Sequence, residues 1–222
     1  MRFNPLVPAA LLLILAPAQA QIRLSIGAPH LSIGINIPIL PNLVPVPGSP
    51  VYYAPRLDQN YFFYDGMYWV FKDDTWYASS WYNGPWALVG PETVPPYLLR
   101  VPVRYYRRQP TYFRGWHREE APRWGEHWGR EWEQRRQGWD KWDRHEAPPM
   151  AQVPNYQRGY SKNHYPAPER QPQIHAENYR YQPQEPVVRE HYQEHVERGR
   201  GPDNREGKGN DKERGRREER PH

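Results

Sequence analysis

The chain of 222 residues contains no cysteine. That excludes a disulfide framework, thiolate metal ligands and cysteine nucleophiles. It also lacks G-x-S-x-G, H-E-x-x-H and P-loop motifs. Its carboxylates sit mostly in charge-mixed runs, so no pair stands out for acid–base work. A non-enzyme without a cofactor or metal is expected. Beyond Ala20 no stretch approaches the roughly 20 apolar residues of a transmembrane helix, so no transmembrane span is expected. Mean hydropathy is −1.04, too polar for one globular domain of this length. Acidic residues are missing between Glu92 and Glu119.

What is present begins with an export signal. Arg2 supplies a positive start, Leu6 to Pro17 an apolar core, and Ala18-Gln19-Ala20 an A-x-A site, which predicts cleavage before Gln21. With no cysteine after the apolar core, lipid attachment there is excluded. The expected location is the periplasm, with the outer surface or the medium as alternatives.

Composition then divides the mature chain. There are 27 prolines, 10 tryptophans and 17 tyrosines. Proline with charged, Gln-rich stretches signals disorder, while Trp and Tyr signal an aromatic core or an amphipathic surface. The two signals come from different regions. The formal charge of +5 and pI near 9.3 bias the chain mildly towards anionic partners.

Residues 21–50 are predicted to hold an N-terminal strand pair and a Pro-rich linker. Ile22, Leu24 and Ile26 alternate, as do Ile33, Ile35 and Ile37. Pro38 to Pro55 read as extended linker. Residues 51–145 form the expected domain. Tyr61–Tyr64, Met67–Phe71, Thr75–Ser79 and Trp86–Val89 are short aromatic or β-branched runs. Asp65-Gly66, Lys72-Asp73-Asp74 and Asn83-Gly84-Pro85 supply turns between them. The fold class is α+β, mainly β: a small aromatic antiparallel β-meander plus one Trp-striped helix, with a long disordered C-terminal tail. Aromatics occupy both strand faces, so the second face needs a cover from the chain, a partner or a ligand.

From residue 91 to 118 repeated prolines forbid a long helix. Arginines there alternate with aromatic residues. Arg100, Arg104, Arg107, Arg108 and Arg114 are candidate polyanion-binding residues, because guanidinium groups pair bidentately with phosphate and carboxylate. The competing expectation is that this arm lies along the acidic meander, where Asp58, Asp65, Asp73, Asp74 and Glu92 outnumber Arg56 and Lys72.

Residues 122–144 are predicted helical. Trp124, Trp128, Trp132, Trp139 and Trp142 fall within about 80° of arc at 100° per residue. The stripe is expected to pack on the meander, with a sugar platform or membrane interface as the functional alternative. Arg135 projects into it, where cation–π contacts are expected. Gly125, Gly129 and Gly138 each cost such a helix about 1 kcal/mol. Residues 146–222 read as a disordered Pro/Gln/Arg/Glu-rich tail, with a short helix near Val187 to Val196. His191 and His195 stand at i,i+4, a metal-ligand spacing without a third ligand.

The run Tyr61-Phe62-Phe63-Tyr64-Asp65-Gly66-Met67-Tyr68-Trp69-Val70, with Trp76 to Trp86 and Arg123-Trp124-Gly125-Glu126-His127-Trp128-Gly129, resembles a group of uncharacterised exported proteins of proteobacteria. The resemblance covers roughly residues 21–145. It implies export and a boundary near 145, and carries no activity, cofactor or catalytic residue.

The expected function is a non-catalytic exported envelope protein. It would act as an interaction or structural module, with anionic polysaccharide, lipopolysaccharide or an envelope protein as partner. Nucleic acid is not an expected partner, and peripheral membrane contact is compatible with the sequence. The alternative is a carbohydrate-binding module that stacks sugars on Trp69, Trp76, Trp81 and Trp86.

Overall fold

The computed structural model describes residues 33–141 and 147–199. The predicted export signal, the first strand of the predicted N-terminal pair, Trp142, Arg144 and residues 200–222 lie outside them. The centre is a six-stranded antiparallel sheet in strict sequence order, β1(Val44–Pro45), β2(Tyr52–Tyr53), β3(Asn60–Tyr64), β4(Met67–Lys72), β5(Thr75–Ser79) and β6(Ala87–Val89). Both central hairpins turn through paired positive φ angles, 52° and 84° at Asp65-Gly66 and 49° and 62° at Asp73-Asp74. Such turns match the twist of antiparallel strands.

The register sorts the aromatics by face. Phe62 pairs with Trp69 and Phe71 with Trp76. These rings, with Tyr64 and Met67, form the first face. Tyr61 pairs with Val70 and Phe63 with Tyr68, on the opposite face. Both faces are covered by the chain itself.

The first face takes α1(Pro96–Leu99), then α2(Trp124–Trp128) and α3(Arg130–Arg135), and finally Val187 and Val188 of α5(Pro186–Gly199). Trp124 and Trp132 are buried and donate indole hydrogen bonds to Leu99 O and Pro91 O at 2.9 and 3.1 Å. The tryptophan stripe therefore packs on the meander. It does so from two helices rather than one, because Gly129 stands at φ 86°, ψ 173° between them. Arg135 leaves the indoles and pairs with Glu92 at 2.9 Å.

The second face takes residues 33–43 and the segment around Ala151 to Tyr181. Ile33, Ile35 and Ile37 keep their alternation of burial but form no strand. Gly34 at φ 65° breaks the extension, and the Ile37 amide donates to Asn83 Oδ1 at 2.6 Å instead. The predicted Pro-rich linker contains β1 and β2. Their hairpin closes through Val46 N to Val51 O at 2.8 Å. Pro45 lies on the outermost strand, where a missing N–H costs no ladder bond.

The chain after 147 carries more structure than its composition predicts. It forms 3-10 turns, α4(Gln171–Asn178) and α5. Gln157 is fully buried, accepts from Tyr82 N at 3.3 Å and donates to Ser80 O at 2.9 Å. Tyr165 bridges Asn83 N and Gly84 O. Polar side chains satisfy the loop backbone here, and the few apolar groups of the segment, such as Ala151, Val187 and Val188, are buried against the sheet. Among the described residues no helix is long and apolar enough to cross a membrane.

Candidate functional site: the arginine loop

Residues 103–120 form a loop closed at its base. Val103 N donates to Glu120 O at 2.9 Å and Arg104 N to Arg118 O at 3.0 Å. Pro102 and Pro110, at φ −59° and −58°, each start a short 3-10 turn, Val103–Tyr105 and Thr111–Phe113. Proline presets that φ, so two prolines shape the loop locally. Its apolar anchor is a ring pair. Tyr106 and Phe113 stand 5.2 Å apart, and Phe113 reaches Trp124 at 5.7 Å. A polar anchor comes from β3. The buried Asn60 side chain donates to Arg108 O at 2.7 Å and accepts from Arg108 N at 2.8 Å.

A third anchor joins three elements. Asp74, in the β4–β5 turn, accepts the Tyr112 hydroxyl at 2.6 Å and faces His127 Nε2 at 2.8 Å. The Tyr112 and His127 rings stack at 3.9 Å and 8°. Burial, then the Asp74 carboxylate, pushes the Tyr112 phenol well above its ordinary range.

The candidate arginines separate into two groups. Arg100 is half-buried and donates to Trp139 O and Gly138 O, so it holds the end of the tryptophan stripe. Desolvation lowers its pKa. Arg104 pairs with Glu119 and donates to Tyr105 Oη at 2.6 Å. Arg108 pairs with Asp58 at 2.5 Å. For that pair the arm does lie along the acidic meander. Arg107 and Arg114 are exposed and have no acidic partner among the described residues, and the same holds for Arg118, which the candidate set did not include. Geometry brings the three onto one loop. Arg107 and Arg114 each follow one ring of the Tyr106–Phe113 pair, and Arg118 shares a backbone hydrogen bond with Arg104.

The proposed sugar-stacking set does not form a site. Trp69, Trp76, Trp81 and Trp86 are between 0 and 2 % exposed. Their rings are taken up by core contacts, Trp69 and Trp76 on the first face, Trp81 beneath the second-face cover and Trp86 against Tyr61, so the four do not converge on one exposed platform. Strand aromatics in a two-sided sheet are core residues, and the two-sided pattern was itself the signal.

The sequence offers no carboxylate pair, yet Asp65 and Glu185 meet at the start of α5. Asp65 accepts from Tyr181 Oη at 2.7 Å and from the Gln184 and Glu185 amides at 2.8 Å each. Glu185 accepts from Tyr64 Oη at 2.7 Å. Desolvation raises both carboxyls, and repulsion from Asp65 raises the Glu185 value further. Asp65 accepts the two amides that lead into α5 and Glu185 accepts a phenol, so both carboxyls are engaged by protein donors in a structural role.

A cavity of about 220 Å³ between α4 and α5 is lined by His175, His191, Tyr179 and Tyr192. His191 is buried there; the His195 side chain lies outside the described residues. Among the described residues no group of three or more His, Asp or Glu is placed to hold a metal ion.

Compared with known proteins, the chain matches no family model, no curated protein and no solved structure.

Proposed function

We propose that this is a non-catalytic exported envelope protein whose arginine loop binds an anionic surface polymer. The observation that carries the reading is the splitting of the arginines. Arg100, Arg104 and Arg108 are spent within the fold, while Arg107, Arg114 and Arg118 stand exposed without an acidic partner among the described residues. Because prolines, Asn60 and two core rings already hold the loop backbone, binding has only the arginine side chains left to order. The export signal supports the same reading, since it would deliver the loop to phosphate- and carboxylate-rich polymers.

The test is retention on an immobilised polyphosphate matrix across a salt gradient. The wild type is expected to bind at low salt and elute as salt rises. The triple variant Arg107→Gln, Arg114→Gln, Arg118→Gln is expected to flow through, with unchanged thermal stability. A wild type that is not retained at low salt, or a triple variant that is retained equally, overturns the reading.

A further inference from the structure

We propose that Trp116 makes the arginine loop a site for acidic polysaccharide, its indole stacking on a sugar ring while Arg114 and Arg118 pair with flanking carboxylates. This rests on the reading of the loop as an anion-binding surface.

Trp116 differs from the core tryptophans. It is half-buried, while Arg114, Gly115, His117 and Arg118 around it are all exposed. Its ring is stacked on Phe113 at 4.7 Å and 30°, with Tyr112 against it at 5.6 Å. The indole is thus held by the core on one side, which limits the ordering cost of binding. Trp69, Trp81, Trp124 and Trp132 each donate their indole N–H to a backbone carbonyl, while the Trp76 and Trp86 N–H groups are shut inside the core without an acceptor. The Trp116 N–H also has no acceptor among the described residues, but it belongs to a half-buried ring. Gly115 stands at φ 85°, and a Cβ built there would meet no atom of any residue beyond its chain neighbours within 4 Å, so the backbone leading into Trp116 is uncrowded.

A flat apolar face, a spare N–H donor and two adjacent guanidinium groups suit a pyranose that carries carboxylates. The apolar C–H face of the sugar meets the indole, and the acid groups meet arginine. A bilayer surface is the weaker fit. The exposed large hydrophobics Ile39, Leu88 and Met150 all lie outside the loop, and the residues flanking Trp116 are charged rather than aliphatic. Single-stranded nucleic acid needs successive stacking rings. Here Tyr106 and Phe113 are buried and Tyr112 is already stacked on His127.

The experiment compares wild type, Trp116→Ala and Trp116→Phe in binding to oligogalacturonate, polyphosphate and anionic phospholipid vesicles, with thermal unfolding measured in parallel. Trp116→Ala is expected to weaken oligogalacturonate binding by about tenfold or more, the size of one lost stacking contact. Polyphosphate binding is expected to stay within about twofold of wild type, because it depends on the arginines alone. Trp116→Phe, which keeps a ring on Phe113, is expected to restore most of the oligogalacturonate affinity. Equal weakening for both polymers, no weakening for oligogalacturonate, or weakening confined to vesicles overturns the inference. So does a wild type that binds polyphosphate but not oligogalacturonate, and that result leaves the arginine reading standing. A wild type that binds neither polymer overturns both.

Discussion

The Tyr64 hydroxyl donates to Glu185 Oε1 at 2.7 Å across 121 positions of sequence. Its chain neighbour Asp65 sits in the first hairpin turn and accepts three donors from the same distant segment. A two-residue β-turn thereby holds the start of α5, and α5 in turn places Val187 and Val188 on the first face of the sheet. The meander and the polar C-terminal segment are consequently one stability unit.

Asp65→Ala removes the acceptor for Tyr181, Gln184 and Glu185 together and leaves buried donors unsatisfied. The expected cost is about 2–4 kcal/mol, from hydrogen bonds to a charged group. Asp65→Asn keeps an acceptor oxygen and tolerates the positive φ of 52°, so it is expected to lose clearly less. Denaturant unfolding of the full chain measures both. Equal losses for the two variants would contradict the role of Asp65 as an acceptor for this segment.

Glu185 also predicts a pH dependence. Desolvation, and then repulsion from Asp65, raise its carboxyl above the ordinary value of 4.5. The folded chain therefore holds this proton more tightly than the unfolded chain does. The associated stability is fully present below the ordinary value and is lost as pH rises through the raised one. Glu185→Gln keeps an acceptor for Tyr64 and cannot ionise. Its unfolding midpoint is expected to fall less than that of wild type between pH 4.5 and neutrality. Superimposable midpoint profiles would remove Glu185 as the cause.

Gly129 distinguishes a continuous tryptophan helix from a broken one. In a continuous helix, Gly129→Ala would stabilise by about 1 kcal/mol through helix propensity. At φ 86° an alanine is strained, and the variant is expected to lose about 1–2 kcal/mol instead. The sign of the change in thermal midpoint decides. Stabilisation would place α2 and α3 on one helix.

Several elements were legible because their signals are local. Asp65-Gly66 and Lys72-Asp73-Asp74 read as turns and are turns, since positive φ selects these residues. Aromatics on both faces announced that the sheet needed two covers. The identity of the covers was not legible. Gln157, Asn60 and Tyr165 each act through a pair of hydrogen bonds to loop backbone, and contacts between residues 48 to 82 positions apart leave no periodicity. The proline-rich stretch from 38 to 55 hid two edge strands, because composition measures average tendency while edge pairing tolerates proline where no N–H is needed. Composition also counted all arginines alike, although half of those in the loop region are consumed by backbone carbonyls and carboxylates.

Residue order alone settled the meander, its turns and the division of ring faces, for these follow from a period of two and from turn chemistry between neighbours. The tertiary structure decided which of the described tryptophans are core and that Trp116 lies among the exposed arginines of the loop. It decided where the helix breaks, and that the chain after residue 147 packs against the sheet. Those outcomes depend on which surfaces meet after the chain turns back on itself. For a segment as polar as 147–193, the burial that orders it comes from the sheet it covers.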